Sequence, residues 1–378
     1  MTTQHFCPYC GGSLRPTAKF CNHCGHQITE ASSTLPPLPS ASQAQLDKRF
    51  LRPLIWGCIL FTILLSSGVF IWVTHSNTLA QSNVVRSPVV LTPTTLRNRT
   101  AVPTLSLAIK PTPLPPLDLG TLRVHFIDVG QGDSTLIQAP DGTTALIDGG
   151  YSSSGLLNYL QLQKITRIDV MILSHPHEDH MGGLIDVLKT LPVGGVWTSG
   201  ATHTTGTFEQ FLDAIASAKV PYHEVKLGDT IPLSSLKFTV LHSDPKASNL
   251  NDTSMVVRLA YNAISFLFTG DAEQPSESVM IRDLKAQLAS TILKVGHHGS
   301  YTSSSSAFLT AVAPQIAVYS AGRGNSYGHP HKEAIMNLCK TKITIYGTAI
   351  HGTVVVNTDG ERYTVYTAVN APPQPCGQ

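Results

Sequence analysis

The sequence is short of charge. Asp, Glu, Lys and Arg make up 13% of the 378 residues, against about 25% in an ordinary globular chain, which excludes a coiled coil and a charged disordered polymer. The two signs nearly cancel, leaving a formal charge of +2. No field over the whole molecule therefore marks a nucleic-acid binder, although a local patch is compatible with that total. Seven cysteines are too few for a disulfide scaffold. No internal repeat of about 20–50 residues is present, which excludes solenoids and propellers. What the chain has in quantity is histidine, sixteen in all, and their placement carries the information.

Composition divides the chain into five parts. Residues 1–28 hold four of the cysteines as Cys7-Pro8-Tyr9-Cys10 and Cys21-Asn22-His23-Cys24, each pair followed by glycine. Two such pairs read as a zinc ribbon, with Cys7, Cys10, Cys21 and Cys24 as four thiolate ligands of one structural Zn²⁺. A piece this short cannot bury a core, so the metal has to stabilise it. Two disulfides or a redox pair are the alternatives. His5, His23 and His26 are nearby, but four thiolates already complete a tetrahedral shell. Residues 29–52 form a polar linker. Residues 53–74 include twenty consecutive uncharged residues from Leu54 to Val73, which as a helix would rise about 30 Å, the thickness of a bilayer core. Trp56 and Trp72 mark its ends, as an aromatic belt would. Lys48, Arg49 and Arg52 precede the span, and no Lys or Arg follows until Arg86. The positive-inside rule then puts the N-terminus in the cytoplasm and the C-terminal part outside the cell membrane, in a single-pass arrangement. Residues 75–118 are a Ser/Thr/Pro-rich linker of semi-rigid character. Cys339 and Cys376 would face an oxidising space and could pair there.

Residues 119–378 carry the chemistry. The apolar strand Val170 to Leu173 runs into Ser174-His175-Pro176-His177-Glu178-Asp179-His180-Met181-Gly182-Gly183. A loop at the C-terminal end of a strand is a usual place for a site in a layered α/β fold. His175 and His177 can bind one metal, and Asp179 and His180 a second. Gly182 and Gly183 let the following backbone pass close by.

This His-x-His-x-Asp-His run is the signature of the metallo-β-lactamase superfamily, and its flanks narrow the resemblance. Leu122 to Ser134 contains Asp-Val-Gly-Gln-Gly-Asp, Leu146 to Gly150 reads Leu-Ile-Asp-Gly-Gly, and Phe268-Thr269-Gly270-Asp271 follows. Leu293 to Ser300 reads Leu-Lys-Val-Gly-His-His-Gly-Ser, and Asn325 to His331 closes the series. In this order the motifs resemble the hydrolase domain of the competence DNA-uptake proteins of the ComEC type, from Leu122 to about Thr367. The many-span channel of those proteins has no counterpart here.

The resemblance implies a four-layer αββα sandwich. It places strands near 122–128, 134–139, 143–147, 169–173, 237–242, 254–260, 263–269, 292–296, 316–319, 343–346, 352–356 and 362–366. It implies Asp271 as a carboxylate bridging two metals and His297 as the completing ligand of the second, with His298 as the adjacent alternative. The superfamily's third histidine on the first metal has no clear equivalent. His242, His203, His223 and the Asn251-Asp252-x-Ser254 segment are the residues in that region. Asp128, Asp133 and Asp148 match the family pattern, as groups supporting the ligands or as turn aspartates. His329 would contact a phosphate oxygen or donate a proton, while His331 opens a helix through Lys340. The Ser/Thr run 302–306 offers donors for phosphate, and Lys294, Arg323 and Lys332 are cations near the site. Thr348 to Gly352 departs from the family pattern, putting a substrate contact in doubt.

Imidazole and carboxylate ligands suit one or two catalytic Zn²⁺, with Mn²⁺ also compatible. Asp179, His180, Asp271 and His329 are the expected catalytic residues. The expected activity is a membrane-anchored, metal-dependent phosphodiesterase or nuclease acting on nucleic acid or a small phosphodiester. The alternatives are a small ester or phosphocholine-type hydrolase of the same fold, or a non-catalytic sensor whose ribbon meets a cytoplasmic protein partner.

Overall fold

The computed structural model describes residues 120–376, together with two short strands, His5–Phe6 and Ser13–Leu14. These two pair antiparallel, His5 with Leu14 and Phe6 with Ser13. The four cysteines of the expected ribbon, the expected span 53–74 and the linkers around it lie outside the described residues. Among the described residues no helix is long and apolar enough to cross a membrane.

The rest is built on alternation. In Leu122–Phe126, Val124 and its neighbours two residues away face one way, and in Thr144–Ile147 Ala145 and Ile147 face the same way. Leu136, Leu146, Met171 and Leu173 point to the opposite side, into a separate apolar cluster. A strand with apolar residues on both faces has to be covered on both faces. That is met by two sheets stacked on each other, with helices outside.

The eight-stranded sheet runs edge to edge as Tyr363–Thr367, Val354–Thr358, Leu122–Phe126, Thr135–Gln138, Thr144–Ile147, Val170–Leu173, Val196–Thr198 and Tyr222–Glu224. The seven-stranded sheet runs Thr344–Gly347, Ile316–Tyr319, Ile292–Lys294, Ile264–Phe268, Val256–Tyr261, Leu236–His242 and Thr230–Leu233. Each is mixed. Antiparallel neighbours pair at one end, and strands joined through helical crossovers run parallel at the other. Between the sheets Phe126, Phe238, Phe266 and Phe268 pack together. Truncating one such phenylalanine to alanine costs about 3–5 kcal/mol. Helices Leu156–Leu162, Glu178–Thr190 and Gly206–Ala218 cover the outer face of the first sheet. Gln274–Leu284, Ser306–Val312 and Lys332–Lys340 cover that of the second. This is the expected αββα order. The strands Val196–Thr198, Tyr222–Glu224 and Thr230–Leu233 are additions to the sequence reading.

A disulfide joins Cys339 to Cys376. It fixes the C-terminal tail to the helix Lys332–Lys340 and, as a closed loop of this kind, stabilises the fold by about 2–4 kcal/mol.

Candidate metal centre

Functional side chains gather where strands of both sheets end. Asp148 follows Ile147, His175 lies just beyond Leu173, Asp271 just beyond Phe268, and His298 beyond Lys294. Asp179 and His180 are in the first turn of the helix Glu178–Thr190 rather than on a loop, with His177 at its N-cap. That helix lies almost backbone to backbone on the turn after Ile147. Gly149 N donates to His180 O (2.7 Å) and Gly183 N to Gly150 O (2.9 Å). A Cβ on Gly183 would meet Gly149 O at 2.0 Å, so only glycine admits this approach.

Two groups of ligand atoms converge. Asp133, His180, Asp271 and His298 form one, and His175, His177 and Asp271 the other, so Asp271 belongs to both. His180 Nδ1 donates to Asp148 Oδ2 (2.9 Å), and Ser174 gives the same carboxylate its N–H and its hydroxyl, each at 2.8 Å. His298 Nδ1 lies 3.2 Å from Asp133 Oδ1 and 3.1 Å from Ser320 O. Asp133 Oδ2 in turn meets the buried Lys294 ammonium at 2.5 Å. With each Nδ1 set against a carboxylate, each Nε2 faces the centre, where it could present a lone pair to a cation. His180 Nε2 and His298 Nε2 approach Asp271 Oδ2 at 3.3 and 3.4 Å. Asp179 Oδ2 stands 3.2 Å from His298 Nε2. On the other side His175 Nε2 and His177 Nδ1 are 2.8 Å apart.

Fit to a metal can be judged from atoms left without partners. His180 Nε2, His298 Nε2 and Asp271 Oδ1 are buried and make no hydrogen bond. Groups of this kind are costly to bury unless something binds them. Four carboxylates, those of Asp133, Asp148, Asp179 and Asp271, meet one lysine here. The electrostatics show the same deficit of positive charge. Burial disfavours charge on His180 and His298, but Asp271 and the other carboxylates outweigh it and hold both rings well above the usual imidazole range. Burial also opposes ionisation of Asp271 and Asp179, yet the two histidines keep both carboxyls below the usual range. His175 goes the other way, lowered by its own burial and by His180. The donors are imidazole and carboxylate, and a divalent cation fits them.

Not every expected residue falls inside. His297 is outside both groups: its Nδ1 lies 2.9 Å from Glu273 Oε1, and its Nε2 is 3.9 Å from Asp271. The structure brings His298 inward in its place, both residues having left-handed backbone angles. His242 meets a backbone carbonyl, Asp252 O, at 3.1 Å, and His223 stacks on Trp197, so neither reaches the cluster. His203 lines the cleft, with its ring 6.2 Å from that of His177. Lys294 is buried on Asp133 and is not a cation open to substrate. The Ser/Thr run is not a free phosphate cradle either. The Glu277 carboxylate already accepts from Ser304 N and from Ser305 N (3.0 Å). Thr348 and His351 are buried in a short helix, where Thr348 Oγ1 accepts from Ala321 N (3.0 Å). Asp128 caps a turn at Gly130 N, and His331 is the N-cap of the last long helix, as expected.

An open cleft of about 350 Å³ leads down to the cluster. Tyr151, His203, Asn251, Tyr327 and His329 line it with the ligand histidines, and among the described residues no lysine or arginine does. Asn251 Oδ1 and His329 Nδ1 are buried there without partners. Burial and the neighbouring histidines lower His329 to about 4, so its ring is neutral near pH 7. Burial and the Asp179 charge push the Tyr151 phenol up, so it stays protonated.

An αββα fold with a candidate His/Asp metal site at its strand ends is that of a class made up generally of metal-dependent hydrolases. The profile of the metallo-beta-lactamase superfamily matches residues 127–323, just over half of the chain, and the chain belongs to that superfamily. It is 31% identical over 252 residues to ComE operon protein 3 of Bacillus subtilis, covering 61% of this chain and 32% of that protein. It is 32% identical over 256 residues to Recombination protein 2 of Haemophilus influenzae, covering 66% of this chain and 30% of that protein. The chain thus spans about a third of the length of these relatives. The metallo-beta-lactamase fold protein YhfI from Bacillus subtilis superposes with a TM-score of 0.44 at 14% identity, over 63% of this chain and 100% of that one.

Proposed function

We propose that the protein is a phosphodiesterase acting on nucleic acid outside the cytoplasmic membrane. The observation that carries the hydrolase reading is the convergence of His180 Nε2, His298 Nε2 and Asp271 Oδ1, all buried and unpartnered, at the floor of an open cleft. A relative named for recombination favours a nucleic-acid substrate.

His180, His298, Asp179 and Asp271 would hold one divalent ion, and His175, His177 and Asp271 a second. Such a pair supplies Lewis acidity at a phosphoryl oxygen and an ionised water at neutral pH, as Zn²⁺ or Mn²⁺ does in two-metal hydrolases. Asp148 and Asp133 fix the tautomer and direction of His180 and His298. The Tyr151 hydroxyl and the neutral His329 ring donate hydrogen bonds to non-bridging phosphoryl oxygens, whose charge grows in the transition state. The cleft is open, so one diester unit of a longer strand can lie across it.

In this reading residues 53–74 anchor the chain with its N-terminus in the cytoplasm, and Cys7, Cys10, Cys21 and Cys24 hold a structural Zn²⁺ there, facing a cytoplasmic partner. The Cys339–Cys376 disulfide supports an oxidising location for the hydrolase domain. The absence of lysine and arginine from the cleft lining favours a second reading, a small phosphodiester as substrate.

The test uses the purified full chain with Zn²⁺ or Mn²⁺ and three substrates: single-stranded DNA, duplex DNA and bis-p-nitrophenyl phosphate. The expected result is cleavage of the single strand, lost in an Asp179→Ala, His180→Ala double variant. Cleavage of the small diester alone transfers the assignment to the second reading. No turnover by metal-loaded protein contradicts both.

A further inference from the structure

Resting on the nucleic-acid reading above, we infer that a run of four rings, Tyr327, His329, His331 and Tyr301, is the platform on which the bases of a single strand stack as it leaves the cleft. Tyr327 and His329 line the cleft, while His331 and Tyr301 continue beyond it. Successive ring centroids are 5.7, 4.8 and 5.0 Å apart. Tyr327 lies nearly parallel to His329, at 20°, and Tyr301 N donates to His331 Nδ1 (3.1 Å), so both ends of the run are tied to its middle.

The two histidines are partly buried and serve to pack the loops. The tyrosines gain little from packing: they are 57% and 58% exposed. Six large apolar or aromatic side chains are exposed among the described residues, and the two aromatic ones are the ends of this run. An exposed aromatic ring is suited to a flat partner. Every base has such a face, so stacking tolerates any sequence. Arg323 and Lys332 are exposed on the same segment, one on each side of Tyr327, His329 and His331 in sequence, and can meet phosphates. A duplex keeps its bases paired and stacked inside, so this surface distinguishes single from double strands.

Binding of fluorescein-labelled (dT)12 to the full chain, followed by anisotropy with EDTA present, reads the platform without turnover. The expected result is that Tyr301→Ala with Tyr327→Ala weakens binding by roughly tenfold or more, the loss expected for base stacking. The corresponding Phe pair should stay within about twofold of wild type, because the ring is kept. Lys332→Ala should lower the salt slope of binding by about one contact, and the Phe pair should leave that slope unchanged. An Ala pair that binds as tightly as wild type, or a duplex of equal length that binds as tightly as the single strand, overturns the inference. Ring-dependent strand binding without metal-dependent cleavage would sink the hydrolase reading and leave the platform standing. Diester cleavage with ring-independent binding would do the reverse.

Discussion

Two histidines face Asp271, and each is held by a carboxylate, but the two carboxylates are kept in different ways. Asp148, behind His180, takes neutral donors, the Ser174 N–H and hydroxyl. Burial raises its carboxyl above the usual range. Asp133, behind His298, is buried too, but the Lys294 ammonium and the His298 ring outweigh the burial and hold its carboxyl below that range. One arm of the centre is thus a hydrogen-bonded turn, and the other is a buried ion pair reaching across the sheets. The lesson is that the same orientation of an imidazole is reached through local backbone on one side and through long-range charge on the other. Their failures should differ accordingly.

The largest effect belongs to the ion pair. Lys294→Met leaves the buried Asp133 with only the His298 ring to offset its charge, and should cost about 3–5 kcal/mol, seen as a fall in Tm of roughly 10 °C for a domain of this size. Adding Asp133→Asn should restore most of the stability, since the lone charge is gone. If the single variant melts like wild type, the two arms are not different in kind. Next come the two carboxylates themselves. Asp148→Asn and Asp133→Asn should each weaken metal binding about 10–100-fold by calorimetric titration, with the folded state retained for Asp148→Asn. Smaller again is Gly183→Ala, where the added methyl meets Gly149 O. An overpacking cost of about 1–3 kcal/mol is expected in urea unfolding, and metal affinity should fall with it because His180 sits on the same turn.

The smallest effect on metal binding lies away from both arms and serves as their control. His125 is buried between Tyr159 and Gln138 and burial lowers it to about 3. Its folded value is below its unfolded one, so its contribution is complete above about pH 6.5 and is lost as pH falls towards 3. The loss is at most about 1.4 kcal/mol per pH unit. His125→Gln should therefore flatten the decline of stability between pH 6.5 and 4.5 without changing metal affinity at pH 7.5.

Sequence patterns revealed one arm better than the other. Asp148, His175, His177, Asp179 and His180 fall at strand ends with glycines beside them, and that pattern is local. All twelve expected strands are present; Val170–Leu173, Ile264–Phe268 and Ile316–Tyr319 are runs buried along their whole length, while Tyr363–Thr367 is only partly buried. The three additions, Val196–Thr198, Tyr222–Glu224 and Thr230–Leu233, are short and lie at or next to sheet edges, too brief to show a period. The choice between His297 and His298 turned on two consecutive left-handed residues, which no periodicity reports. The joining of Lys294 to Asp133, and of Glu277 to the amides of Ser304 and Ser305, links residues far apart in the chain, and nothing local signals it. The exposed pair Tyr301 and Tyr327 became visible only once the loops were in place.

The most direct test of the central claim is the number of metal ions per chain, by elemental analysis of Zn²⁺-loaded protein after gel filtration, for wild type and Asp271→Ala. The ribbon cysteines should hold one ion in both. The shared carboxylate predicts up to two more in wild type and a return to one in Asp271→Ala, with diester hydrolysis lost in parallel. An Asp271→Ala protein that keeps the wild-type metal count would contradict the account.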